Sequence, residues 1–108
     1  MVKRIGSVIG ISSENVAEYE RLHADVWPDV LSRLRQSNIV NYTIFRHDEL
    51  LFSYMEYVGD DYKSDMAAMA ADPATQQWWA VCMPLQRPLA DRADGEWWKT
   101  LPDVFHLD

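Results

Sequence analysis

Ile39-Val40-Asn41-Tyr42-Thr43-Ile44-Phe45-Arg46, then His47-Asp48-Glu49, then Leu50-Leu51-Phe52-Ser53-Tyr54-Met55-Glu56-Tyr57-Val58 read as strand, tight turn and strand. Both runs are rich in β-branched and aromatic residues, and so short a polar link predicts an antiparallel hairpin. Neither run alternates cleanly. By simple parity Val40, Tyr42 and Ile44 share one face, and Ile39, Thr43 and Phe45 the other. Large side chains on both faces predict a sheet covered on both sides. One chain supplies helix for only one face, so the other face is expected to meet a second subunit.

Working outward, residues 3–11 read as a strand on which Gly6 and Gly10 share a face and admit close approach of another element. Ser12-Ser13 supplies an N-cap, and a helix runs to about Gln36, with Ser37-Asn38 as its exit. Wound at about 3.6 residues per turn, residues 16–34 place Val16, Tyr19, Leu22, Val26, Trp27, Val30 and Leu34 on one stripe. Pro28 disfavours helical geometry at Trp27. A second reading therefore breaks the helix near Ala24 and restarts it with Asp25 as N-cap and Pro28 in the new first turn.

Downstream of the hairpin, Gly59-Asp60-Asp61 ends the strand and caps a helix over 62–71, with Tyr62, Met66 and Met69 inward. Asp72-Pro73 opens a further helix through about Met83, which Pro84 ends. Residues 84–95 read as an extended surface segment, and residues 103–107 as a last strand. The order is βαββαβ. It predicts one α+β domain over residues 1–108, ferredoxin-like, with helices on one face of an antiparallel sheet. Subunits of that kind often pair sheet to sheet as a dimeric α/β barrel.

The 108 residues suit one core, and 48% apolar with 25% charged residues describes a chain that folds. A net charge of -7 disfavours nucleic acid, anionic membrane and strongly anionic substrates. Cys82 is the only cysteine, which points to a reducing compartment. Met1-Val2-Lys3-Arg4 and the apolar run after it faintly resemble a signal peptide, but the run is short and leads into an amphipathic helix. No stretch reaches the roughly 18 apolar residues of a membrane span. A soluble, cytoplasmic protein is expected.

Chemistry concentrates at His23, which lies within the apolar stripe, with Tyr19 one turn before it and Trp27 one turn after. A buried imidazole needs a partner for each ring nitrogen. Two readings stand: a core histidine satisfied by a backbone carbonyl, or a titratable group on a pocket wall. His23, His47 and His106 form no metal-spaced cluster, and no phosphate loop or nucleophile motif occurs. No metal or cofactor is expected, and Cys82 reads as core. Trp78 and Trp79 are about 100° apart on their helix, so one packs while the other walls a cavity. With Tyr42 these residues suit a neutral polyhydroxylated ligand such as a sugar, whose C–H faces lie on aromatic rings.

Tyr19-x-x-x-His23-x-x-x-Trp27-Pro28, Asn41-Tyr42, Trp78-Trp79 and Val104-Phe105-His106-Leu107 together resemble the L-rhamnose mutarotase family, over essentially the whole chain. The resemblance implies a small dimeric α/β-barrel isomerase that interconverts the α and β anomers of a 6-deoxysugar without cofactor or metal. It implies that His23 is the catalytic proton donor. Mutarotation then has His23 donate to the ring oxygen, with a tyrosine hydroxyl or water serving the anomeric oxygen. It also implies that Tyr19, Tyr42, Trp78 and Trp79 bind the substrate. Some related sequences are assigned to L-fucose instead, and Gly95-Glu96-Trp97-Trp98 is not part of every member. Rival readings on the same barrel are a cofactor-free monooxygenase, a binding module or a noncatalytic dimerisation domain.

Overall fold

The computed structural model describes residues 2–108. Strand β1 spans Lys3–Ile11 and leads through a 3₁₀ turn at Ser13–Asn15 into helix α1, Val16–His23. Helix α2 spans Pro28–Gln36, β2 Ile39–His47, β3 Leu50–Tyr57, α3 Tyr62–Ala71 and α4 Pro73–Cys82. A 3₁₀ turn at Met83–Leu85 precedes two short strands, β4 at Gln86–Arg87 and β5 at Lys99–Leu101. The sheet is antiparallel in the order β2-β3-β1-β4, with β5 also on β1. This is the ferredoxin-like α+β arrangement.

Pro28 divides the first helix. Trp27 takes φ -58° and ψ 133°, the extended geometry a following proline favours, and acts as N-cap with Pro28 in the first turn. The continuous helix to Gln36 is thus corrected to two, and the cap is Trp27, not Asp25. Asn15, not Ser12-Ser13, caps α1, because the 3₁₀ turn intervenes. The later caps follow the sequence. Asp61 accepts from the Ser64 amide at 3.1 Å, and Asp72 from the Thr75 amide at 2.9 Å.

Paired residues share a face, so the register sorts the sheet. Ile9 opposite Leu51 and Ser7 opposite Ser53 face the helices. Ile9, Ile11 and Leu51 are buried there with Tyr19, Leu22, Val30, Trp78 and Cys82. Each such aliphatic side chain contributes about 1.5–3 kcal/mol. Ser7 and Ser53 satisfy each other, Oγ to Oγ at 2.6 Å. A second cluster joins Ile39, Tyr57 and Met69, with Tyr62 and Met66 packed against it.

Simple parity fails in β2. A bulge lies between Val40 and Thr43, where Asn41 sits in the left-handed region at φ 50°. Ile39 is opposite Tyr57 before the bulge, and Ile44 opposite Ser53 after it. One extra residue therefore carries Tyr42 and Ile44 onto the helix face with Ile39, while Val40 joins the open face.

The last strand also differs from expectation. Residues 103–107 are not strand; the pairing is made by β4 against Gly10–Ile11 and β5 against Gly6–Val8. Pro88 and Pro102 lack the N–H that would continue either piece. Gly10 does admit close approach, since a Cβ there would lie 2.5 Å from the Arg87 carbonyl oxygen.

Asn tolerates the left-handed region, and a β-branched residue does not. Asn41→Val is expected to cost about 1–2 kcal/mol, read as a lower midpoint in urea unfolding. Unchanged stability would mean that the bulge is not held by the residue at 41.

Candidate active site

A cavity of about 300 Å³ opens between α2, β2, α4 and the end of α1. His23, Tyr42 and Trp78 line it together with Val26, Val30, Leu31, Leu34 and Ile44. The break at Ala24–Trp27 leaves His23 as the last residue of α1 and lets α2 turn its Val30–Leu34 side toward the same space.

Two aromatic rings set the imidazole. Tyr19 stacks on His23 at 4.0 Å between ring centroids, and Trp78 meets it edge-on at 5.2 Å. Trp27 in turn packs edge-on against Trp78 at 5.0 Å. Tyr42 completes the wall from β2. Nδ1 of His23 lies 2.8 Å from the Tyr19 carbonyl oxygen. A carbonyl only accepts, so Nδ1 carries the proton and donates it. No protein group bonds Nε2 among the described residues. Burial lowers the His23 pKa below 6.5, and the bond to the Tyr19 carbonyl opposes that shift without cancelling it. The resting imidazole is therefore neutral, with the lone pair of Nε2 uncommitted.

Both phenols are held in their protonated form. Burial, and next Tyr42, push Tyr19 up. Burial, and next Cys82, push Tyr42 up to about 12. Tyr42 is 42% exposed as a residue, yet its hydroxyl end is desolvated. Burial raises the Cys82 thiol to about 11, which makes it inert packing. No three His, Cys, Asp or Glu side chains converge in a metal-holding group among the described residues.

Of the residues named from sequence, His23, Tyr42 and Trp78 meet at the cavity, with Tyr19 directly behind His23. Trp79 does not reach it. Trp78 is buried, whereas Trp79 is 39% exposed on the neighbouring side of α4.

A family model described as L-rhamnose mutarotase matches residues 4–107. The chain belongs to the L-rhamnose mutarotase family. A protein of Xanthomonas campestris pv. campestris named L-fucose mutarotase is 40% identical over 85% of this chain and 76% of its own length. L-rhamnose mutarotases of Oceanobacillus iheyensis and Ligilactobacillus salivarius are 29% and 32% identical, covering 99% and 100% of this chain and all of their own. Among solved structures, an L-rhamnose mutarotase of Formosa agariphila superposes with a TM-score of 0.76 at 18% identity, covering 98% of this chain and 99% of that one. The tetracenomycin F2 cyclase of Streptomyces glaucescens, a type-II polyketide cyclase, follows at 0.72 and 14%, covering 98% and 97%. The last two likenesses concern the fold.

Within this member of the family the apolar wall was partly legible. Val26, Val30 and Leu34 recur at i, i+4 and i+8 in the stripe that contains His23. Leu31 lay outside the stripe, and Ile44 was masked by the bulge. Gln86 was missed. It donates to the Tyr19 hydroxyl at 3.2 Å and carried no pattern in the sequence.

Because folding lowers the His23 pKa, the unfolded chain binds this proton more tightly. The stability contribution of His23 is complete above pH 6.5 and is lost as pH falls from there through the folded pKa. An NMR titration of its ring protons is expected to give a midpoint below 6.5. His23→Asn should flatten urea-measured stability across the same range. A midpoint above 6.5 would contradict the buried, neutral imidazole.

Proposed function

We propose that the protein interconverts the α and β anomers of a 6-deoxysugar, L-rhamnose by preference. The observation that carries this is the neutral His23, its Nε2 without a partner among the described residues, on the wall of a cavity of monosaccharide size between aromatic rings and aliphatic side chains. The volume lies at the small end of ligand sites. The aliphatic wall of Val30, Leu34 and Ile44 suits a C6 methyl group, and Trp78 and Tyr42 suit the C–H face and hydroxyls of the ring. L-Fucose is the second reading, favoured by the 40% identity to a protein so named. Family membership disfavours a monooxygenase or binding module.

Mutarotation needs the anomeric O–H deprotonated and the ring oxygen protonated as the C1–O5 bond breaks. Nε2 of neutral His23 takes the anomeric proton, and the imidazolium so formed gives it to the ring oxygen. Both oxygens sit on C1, within reach of one nitrogen. The C1–C2 bond of the open aldehyde rotates, and the same transfers in reverse close either anomer. His23 ends as it began, and its donation to the ring oxygen is the second half of that cycle. Tyr42 keeps its proton throughout, because a phenol pushed up to about 12 is a poor acid, and serves as a hydrogen-bond donor to the sugar. Tyr19 holds the imidazole tautomer through its carbonyl.

A second copy is the proposed occupant of the open sheet face. Support comes from Phe45 at 61% exposure and from the Val104 and Phe105 side chains of the C-terminal tail, at 95% and 81%. A lone, buried Cys82 suits a reducing compartment, and the cytoplasm is the proposed location.

The test is saturation-transfer NMR on equilibrated L-rhamnose, L-fucose and L-mannose. His23→Asn is expected to slow anomer exchange by about 10²-fold or more with its thermal midpoint largely kept. His47→Asn, at the end of β2 beside the hairpin turn, should match wild type. Wild-type exchange should rise with pH through the lowered His23 midpoint and then level, since the neutral imidazole is the active form. Exchange that falls across that midpoint would make the cation the active species. Sedimentation should give a dimer at micromolar concentration; a monomer alone would refute the sheet pairing.

A further inference from the structure

The Trp97-Trp98 pair lies in the loop between β4 and β5, which the reaction so far leaves without a role. That loop is braced. Glu96 accepts from the Ala93 amide at 3.0 Å, and Arg92 donates to the Glu96 carbonyl at 2.9 Å. Trp97 and Trp98 pack against the helix-facing core. From there the Trp97 indole Nε1–H donates to Oε1 of Gln86 at 2.8 Å. An indole N–H only donates, so its bond fixes which end of the Gln86 amide is oxygen. The other end, Nε2, must then be the donor in the 3.2 Å bond to the Tyr19 hydroxyl. Tyr19 accepts from Gln86, and its own phenolic proton is left free. Tyr19 stacks on His23, which lines the cavity with Tyr42.

We propose that Gln86 and Trp97 are positioning residues, which hold the Tyr19 hydroxyl as an acceptor and so leave its phenolic proton for a bound sugar. The proposal rests on the mutarotase reading of this cavity. Without Trp97 the Gln86 amide is free to flip and accept from Tyr19, which would withdraw that proton. The loop would thus set hydrogen-bond polarity at the site without touching the substrate.

Gln86→Glu tests this directly. A carboxylate keeps the bond from Trp97 but cannot donate, so the Tyr19 proton must turn to it. KM for the sugar is expected to rise about tenfold, with kcat changed less and the thermal midpoint kept. Trp97→Phe should shift KM in the same direction by less. In a Tyr19→Phe background Gln86→Glu should add nothing, because the group it acts through is gone. Wild-type KM in Gln86→Glu, or an equal effect in both backgrounds, would overturn the proposal. A readout independent of sugar is the indole N–H resonance of Trp97, assigned through Trp97→Phe. It should move upfield in Gln86→Met, which removes its acceptor, and downfield in Gln86→Glu, which charges it. A resonance that moves in neither variant refutes the relay whatever the enzyme acts on. If the wild type exchanges neither L-rhamnose nor L-fucose, the functional reading fails and the indole shifts still decide the relay.

Discussion

Pro28 is the constraint on which the site depends. It has no N–H to continue α1, and its ring forces Trp27 into an extended conformation. Without that break, residues 16–36 would form one straight helix packed along the sheet, with no hollow beside it. With it, His23 becomes a helix terminus and α2 leaves at a new angle, and a cavity opens where the two meet β2 and α4. A proline inside a helix costs about 3 kcal/mol, and here that cost is avoided by placing it in a first turn.

At the C-terminus of α1, competing effects act on His23. A helix C-terminus and a carbonyl acceptor both favour the imidazolium, while burial against Tyr19 and Trp78 disfavours it. Burial wins, and the ring is neutral. A carbonyl partner, unlike a carboxylate, orients the ring without supplying a charge to hold the cation. The base is thus kept weak and fixed in tautomer, which suits a reaction whose proton is taken and returned by one nitrogen. The phenols follow the same logic. Desolvation keeps both protonated, so they position hydroxyl groups and hold no charge that a neutral ligand would have to match.

Much of the architecture was legible in local chemistry. Asp61 and Asp72-Pro73 mark the starts of α3 and α4 because capping and proline placement are determined within a few residues. The hairpin was legible for the same reason, as were the inward Tyr62, Met66 and Met69. The bulge was not. Asn41 reads as an ordinary strand residue until its partner strand is known, and one inserted residue reverses every side chain after it. The edge strand was misplaced to residues 103–107 for a related reason. Both β4 and β5 are too short to show a pattern, and only pairing with β1 defines them.

By itself the sequence determined the order of elements, the family and the pairing of Tyr19 with His23 one turn apart, since each is set by neighbours along the chain. The tertiary structure decided the rest. It put Tyr42 on the helix face and turned Trp78 inward and Trp79 out. It set the His23 tautomer through the Tyr19 carbonyl and brought Gln86 and Trp97 behind Tyr19 across 67 and 78 residues of sequence. A hydrogen bond has direction as well as partners, and its direction follows from which atoms the fold brings within about 3 Å. No spacing rule in a linear chain carries that information.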